Sequence, residues 1–201
     1  MTAASAAPAA PAERPLELVE RSLAYARGVL VAVPGHPADL ATPCADWDLG
    51  DLLAHMVDGF TAFVQAAAGV VSPEPPAGLP REPALLAGHL LDLGCGVLGE
   101  WASPAGRARV LCGLPLPTEV VLEVAALEIA VHGWDVAQVC SPRRRLPAQL
   151  AAALLPAAVR RVGAADRPHR FGAVRPGSRR DPEALLLAHC GRAAPRGGAL
   201  V

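Results

Sequence analysis

The 201-residue sequence contains no lysine, so arginine supplies all 18 of its Lys/Arg side chains. We interpret this bias as the codon usage of a GC-rich genome and not as chemistry. Nineteen acidic residues balance the arginines, and the formal net charge is −1. A near-neutral chain gives no case for a nucleic-acid-binding surface, and the basic run from Arg143 to Arg145 is typical of a solvated turn.

Aromatic side chains are scarce, with three Phe, three Trp and one Tyr. Apolar residues still make up 52% of the chain, mostly as Ala, Leu and Val, which is enough to bury a core. Ala and Leu favour helices, whereas strands are enriched in aromatic and β-branched residues. The composition excludes disorder throughout and predicts an all-α protein.

No uninterrupted apolar run reaches membrane-spanning length, and no basic segment followed by an apolar stretch opens the chain. Residues 1–13 (MTAASAAPAAPAE) are predicted to be a disordered tail. The five cysteines are odd in number and form no CxxC pair, which fits a reduced cytoplasm. We therefore expect a cytoplasmic protein with no membrane partner.

Four long helices are predicted from apolar residues that recur at three- and four-residue steps. Between the second and third helices, residues 72–83 hold five prolines, so this linker lets the chain reverse. Thr118 is a candidate N-cap for the fourth helix. Long helices joined by short crossings predict a four-helix bundle. The predicted bounds are about 15–33, 48–68, 84–101 and 118–140.

The rest of the chain is expected to lie against this bundle. We assign residues 14–163 to the bundle and residues 164–201 to an irregular segment with a short C-terminal helix packed on it. A fifth helix over about 148–162 falls within the first part. The apolar piece 109–112 could pair as a strand, and Asp181 is a good cap for the last helix.

The fourth helix places Glu128, His132 and Asp135 within a narrow arc, in otherwise apolar surroundings. Burying a carboxylate and an imidazole is costly unless each has a partner, and a shared metal ion is one such partner. The second helix offers His55. If the two helices are neighbours, two imidazoles and one carboxylate converge, which is the ligand count of a catalytic zinc site.

Each candidate also has a plainer interpretation. His55 shares its helix side with three aspartates, and a polar stripe is usually a solvated face. A buried Glu–His hydrogen bond without metal would satisfy Glu128 and His132. Asp135 is either an acceptor for His132 or a carboxylate on the helix surface. The three aspartates are Asp48, Asp51 and Asp58.

The remaining chemically active residue types give weaker signals. The cysteines are interpreted as small buried hydrophobes, and only Cys140, at the end of the fourth helix, is expected near the proposed site. Trp47 and Trp134 are expected to pack or to form a lid. GxSxG, P-loop and GxGxxG motifs are absent, so serine hydrolysis and nucleotide binding have no support. The histidines without a partner at metal-ligand spacing are His36, His89, His169 and His189.

Three segments resemble a known family: TPCADWD from Thr42 to Asp48, DLLAH over 51–55, and EIAVHGWDVA over 128–137. They are similar to the N-terminal, metal-binding domain of mycothiol-dependent maleylpyruvate isomerases, within the DinB/YfiT-like superfamily. The ending DPEALLLAHCGR resembles the tail of short actinobacterial members. The resemblance covers about residues 40–192 and implies a DinB-like four-helix bundle with a small C-terminal helical extension.

The resemblance also implies a divalent metal, usually zinc with nickel as an alternative, held by His55, Glu128 and His132, with Asp135 as an orienting group behind them. In family members of known activity, the metal binds the sulfur of a low-molecular-weight thiol such as mycothiol. The thiolate then attacks a small electrophile, either in S-transfer or in cis–trans isomerisation. The chain is too short for the α/β C-terminal domain of those isomerases, so the resemblance assigns no catalytic or thiol-binding residue.

Two alternatives to a thiol-dependent transferase or isomerase stay open. One is a metal-binding or dimerising helical bundle without catalysis, since helix-rich apolar surfaces pair readily and a homodimer is conceivable on that ground. The other is a buried hydrogen-bond network without any metal.

Overall fold

The chain folds as an all-α protein with one short β-hairpin, as seen in a computed structural model. The described helices are α1 (Pro15–Leu30), α2 (Leu49–Ala67), α3 (Pro83–Trp101), α4 (Thr118–Cys140), α5 (Ala148–Arg161) and α6 (Pro182–His189). The hairpin joins β1 (Arg109–Cys112) to β2 (Leu114–Pro117). The structure describes residues 14–44, 47–72, 78, 80–102, 109–112, 114–168, 170–178 and 180–193. The predicted tail 1–13 and His169 lie outside them.

Two helices begin at the aspartates that the sequence indicated as caps. Asp48 accepts a hydrogen bond from the backbone N–H of Asp51 at 2.9 Å and so starts α2. Asp181 accepts from two backbone N–H groups in the first turn of α6. These acceptors satisfy donors that have no partner within the helix.

The start of α4 differs from the prediction. The N-cap is Pro117, and Thr118 is the first helical residue, with a buried hydroxyl that has no hydrogen-bond partner among the described residues. The prediction that Thr118 caps the helix was wrong because β2 runs directly into α4 and places Thr118 one position too late. The predicted strand over 109–112 is confirmed, and it pairs antiparallel with β2.

The helix α4 is the centre of the bundle. Fifteen of its 23 residues are buried, on all sides, as expected for a helix surrounded by others. It packs against α1, α2 and α5, while α3 packs on α1 and α2. A Cβ at Gly133 would lie 3.4 Å from the Tyr25 ring, at ordinary van der Waals distance, so α1 and α4 are in direct contact here. The predicted four-helix bundle is confirmed.

The C-terminal segment lies against this bundle through α6, which packs on α5. The Arg167 guanidinium donates to the His189 carbonyl at 2.7 Å, and the Arg175 N–H donates to the Ala188 carbonyl at 2.9 Å. Gly191 has φ +78°, and a Cβ there would lie 2.7 Å from the Gly172 backbone. Backbone therefore contacts backbone at this point, and only glycine fits. The exact division at residue 163 stays a prediction.

No helix in the described part of the chain combines the length and the hydropathy that crossing a bilayer requires.

Candidate metal centre

The side-by-side packing of α2 and α4 brings together the three predicted ligands. One ligand atom from each of His55, Glu128 and His132 lies within 4.8 Å of the other two. Glu128 and His132 are one turn apart on α4, and Glu128 Oε2 lies 3.1 Å from His132 Nε2. The His55 ring meets the His132 ring edge-on, with centroids 5.0 Å apart.

This donor set fits a divalent ion. Ligand atoms in a tetrahedral zinc site lie about 2.0–2.2 Å from the ion, which places them roughly 3.4 Å from one another. The Nε2–Oε2 separation of 3.1 Å between His132 and Glu128 is close to that value, and His55 is within reach of both. Two imidazoles and one carboxylate are ligands that zinc and nickel accept.

The polar stripe on α2, formed by three aspartates and His55, is only partly exposed to solvent. Asp58 is exposed, whereas the His55 side chain is half-buried. Asp48 and Asp51 are paired with Arg81, at 2.5 and 2.9 Å. The stripe therefore divides into a solvated, ion-paired part and a part that faces α4.

Asp135 is a buried residue and not a surface carboxylate. Its side chain is 0% exposed, and its Oδ2 accepts a hydrogen bond from His132 Nδ1 at 3.1 Å. Such a contact, when the other ring nitrogen faces a metal, fixes the tautomer and orientation of a histidine ligand. The orienting role toward a metal stays a prediction.

The two imidazoles have opposite electrostatic environments. Burial, reinforced by the nearby His132, lowers the pKa of His55 to about 4. Burial also opposes charge on His132, but its hydrogen bonds to Asp135 and Glu128 prevail and raise its pKa to about 9. At neutral pH in the metal-free protein, His55 is a neutral imidazole, whereas His132 is protonated on both ring nitrogens and positively charged.

A cavity of about 650 Å³ opens next to the three predicted ligands. Trp47 covers His55, with ring centroids 4.3 Å apart, which agrees with the lid or packing role expected for it. Trp134 is buried in the core. Apolar side chains of α2 form one wall, and three arginines of the C-terminal segment line the cavity as well. These residues are Met56, Phe60, Phe63, Arg170, Arg175 and Arg192.

Two residues of the site were missed by the sequence analysis. Cys44 lines the cavity, and its sulfur lies within 4.8 Å of ligand atoms of His132 and Asp135, whereas Cys140 is not among the lining residues. The prediction that Cys140 is the cysteine near the site was therefore wrong. A signal for Cys44 existed, since it precedes Trp47 in the segment that leads into α2. The cysteines also differ in burial, since Cys190 is buried and Cys95 exposed.

The second missed residue is Arg192, which forms a buried ion pair with Asp135 at 2.8 Å. The two residues are 57 positions apart, so no spacing rule connects them. The sequence offers no signal for this contact beyond the presence of an arginine at the end of the C-terminal helix.

The sequence is similar to known proteins over much of its length. Residues 19–137 match the family described as the mycothiol maleylpyruvate isomerase N-terminal domain. Two uncharacterized proteins of Mycobacterium tuberculosis, from strains CDC 1551 / Oshkosh and H37Rv, are each 33% identical over 126 residues. The alignment covers 61% of this chain and 65% of each relative, which is less than two thirds of their length. No solved structure matches the chain significantly.

Proposed function

Since this chain belongs to the mycothiol maleylpyruvate isomerase N-terminal domain family, we propose that it binds a divalent metal ion, zinc or nickel, and activates a low-molecular-weight thiol such as mycothiol in the cytoplasm. The activated thiol reacts with a small electrophile, either by S-transfer or by addition, bond rotation and elimination in a cis–trans isomerisation.

The observation that carries this proposal is the convergence of His55, Glu128 and His132 at the wall of a cavity. A hydrogen-bond network that served only stability would need no such space beside it. The cavity volume of about 650 Å³ lies within the usual range for small-molecule sites.

Each residue has a defined part in the proposed chemistry. When a divalent ion is bound, the chemistry it supplies is Lewis acidity, which lowers the pKa of a thiol at the site. His55, being neutral at pH 7, presents a free lone pair, and Glu128 contributes a negative charge. Asp135 holds His132 through Nδ1, which leaves Nε2 for the site.

The surroundings favour a reactive sulfur. Met56 and Phe60 are buried and line the cavity, and with Trp47 over His55 they limit the water around the ligands. A thiolate is less solvated in such a setting, so its lone pair is more available for the carbon of the electrophile. In S-transfer a C–S bond forms as the bond from that carbon to its leaving group breaks, and the thiol proton passes to solvent or to the leaving group. In isomerisation a C–S bond forms as a C=C π bond opens, the remaining single bond rotates, and the C–S bond breaks as the π bond forms again.

The metal content of the purified protein tests the first part of the proposal. We expect near-stoichiometric zinc or nickel by inductively coupled plasma mass spectrometry. H55Q should lose most of that metal. The matched control is H89Q, because His89 is an exposed histidine on α3. Metal-free protein, both as purified and after incubation with zinc or nickel, would contradict the proposal and leave the hydrogen-bond network as the explanation.

An assay of both reactions tests the second part. Metal-loaded protein is mixed with mycothiol and a panel of electrophiles that includes cis alkenes; loss of free thiol reports S-transfer, and a change in the ultraviolet absorbance of the alkene reports isomerisation. We expect turnover with the wild type and H89Q and none with H55Q. Stoichiometric metal without turnover of any electrophile would instead support a metal-binding bundle that lacks catalysis.

A further inference from the structure

The Asp135 carboxylate is shared between two buried partners. Its Oδ2 accepts from Arg192 Nη2 at 2.8 Å and from His132 Nδ1 at 3.1 Å, while its Oδ1 accepts from Arg192 Nε at 3.2 Å. Asp135 is 0% exposed and Arg192 6%. A bidentate pair of this kind fixes the plane of the carboxylate as well as its charge.

Arg192 is itself held in place by its own segment. Its Nη1 donates to the Cys190 carbonyl at 3.0 Å, and its backbone N–H donates to the Leu187 carbonyl at 2.8 Å. The side chain and the backbone of Arg192 are therefore both anchored at the end of α6. The guanidinium plane cannot turn without breaking these contacts, so it acts as a fixed reference for Asp135.

The orientation of Asp135 in turn decides the orientation of His132. Rotation of the imidazole about its χ2 angle is limited by the Nδ1–H donation to Asp135 Oδ2. With Nδ1 occupied on that side, Nε2 faces Glu128 and the side of the site where His55 lies. Partners of this kind behind a histidine ligand commonly change metal affinity by about 10- to 100-fold when removed.

We infer that Arg192 is a positioning residue of the metal site: it orients Asp135, and Asp135 orients His132 so that Nε2 faces the ion. The inference rests on the proposed metal-binding function. Arg192 lies outside the family-matched residues 19–137, so the C-terminal segment of this chain completes a site whose ligands belong to the family domain.

Zinc affinity of four variants tests the inference. The variants are R192Q, D135N, the double variant D135N/R192Q and the control R175Q, measured against Zn²⁺ with a chromophoric chelator as competitor. Arg175 lines the same cavity and donates to the Gly191 carbonyl, whereas the arginine that is hydrogen-bonded to Asp135 within the described part of the chain is Arg192. We expect R192Q and D135N each to weaken zinc binding by about 10- to 100-fold. The double variant should bind no more weakly than D135N, and R175Q should match the wild type.

A purely structural role of Arg192 would give a different pattern. R192Q would then lower the melting temperature but keep the zinc affinity within about twofold of the wild type. Alternatively, the fold-losses in zinc affinity of the two single variants would multiply in the double variant. Either result overturns the inference. R192K keeps the charge that compensates Asp135 but lacks the bidentate fork, so it should fold and bind zinc with an affinity between those of the wild type and R192Q.

A measurement on the metal-free protein separates this inference from the proposed function. With ¹⁵N-histidine labelling, the His132 Nδ1–H should give an exchange-protected proton resonance in the wild type and in R175Q, and should lose its protection in R192Q and R192K. Retention of protection in R192Q overturns the inference. Failure of the wild type to bind zinc would overturn the proposed function, and this resonance would still decide whether Arg192 positions His132.

Discussion

His55 and His132 are neighbouring imidazoles whose protonation differs at neutral pH. Burial keeps His55 neutral, with a pKa of about 4, whereas Asp135 and Glu128 hold a proton on His132, with a pKa of about 9. A metal ion needs the lone pair of both rings. Metal binding must therefore expel the His132 proton that faces Glu128.

This difference predicts proton release on metal binding. Between pH 6 and pH 8, below the His132 pKa of about 9, we expect about one proton released for each ion bound, falling toward zero as the pH rises through that value. Zinc titrations by calorimetry in buffers of different ionisation enthalpy measure the number. Binding at pH 7 without any proton release would contradict the assigned protonation states.

The same residues explain which parts of the site were predictable. His55, Glu128 and His132 lie on regular helices, where the sequence separation of two residues predicts whether their side chains share a helix face. Cys44 and Arg192 lie outside regular helices, one before α2 and one after α6. Their approach to His132 and Asp135 depends on how those segments fold back, and no periodicity encodes it.

At the scale of elements, α4 and α5 are joined by ion pairs between one buried carboxylate and two arginines that reach the surface. Glu123 of α4 accepts from the Arg160 and Arg161 guanidinium groups of α5, at 2.5 and 2.7 Å. Burial opposes the charge of Glu123, but the two arginines outweigh it and lower its pKa below the ordinary value of 4.5. The ion pairs thus stabilise the folded state above pH 4.5, and that stabilisation is lost as the pH falls through the lowered pKa.

The variant E123Q tests this link between the helices. We expect it to lower the free energy of unfolding at pH 7 by about 1–3 kcal/mol, because Arg160 and Arg161 lose a charged acceptor. The wild type should lose its advantage on acidification below pH 4.5, so that the two unfolding curves converge. Urea unfolding at several pH values measures both effects. E119Q is the control, since Glu119 is an exposed residue of the same helix.

A second test at this scale concerns the contact between Gly191 and Gly172. G191A introduces a Cβ at φ +78° and 2.7 Å from the Gly172 backbone, so we expect a loss of about 1–3 kcal/mol in the free energy of unfolding. G88A is the control, because a Cβ at Gly88 on α3 meets open space and should be neutral or stabilising by about 0.5–1 kcal/mol. Equal stability of the two variants would show that the backbone contact is not required.

The helices themselves were largely predictable. The end of α4 at Cys140 was predicted to the residue and its start to within one residue, because no Pro or Gly interrupts the segment before Gly133 and Pro142 follows its end. The first helix ends at Leu30, earlier than predicted, because backbone turns bonded to Val29 and Leu30 replace its last turn. The Thr118 cap failed for a related reason, since strand pairing of β2 is a tertiary effect that local propensity does not contain.

At the scale of the whole molecule, metal binding should couple to global stability. The proposed ligands come from α2 and α4, so an ion bound to them ties together two helices that are far apart in sequence. At a free zinc concentration of 100 Kd, binding to the folded state adds about 2.7 kcal/mol. For a chain of this size, that corresponds to a rise of roughly 5–10 °C in Tm.

Thermal unfolding with and without zinc checks this expectation. The increase should be present in the wild type and in H89Q and absent in H55Q, because only H55Q removes a proposed ligand. An increase of the same size in H55Q would place the stabilising ion elsewhere on the molecule.

The contact between Asp135 and Arg192 also sets an order of events during synthesis. The ribosome makes Arg192 57 residues after Asp135, which takes roughly 3–11 seconds at about 5–20 residues per second. Throughout that interval, the nascent helix carries its carboxylate without the cation that compensates it in the finished protein. The charge balance around Asp135 can therefore be completed only after α6 and Arg192 have left the ribosome, which makes completion of this part of the core a late step of biogenesis.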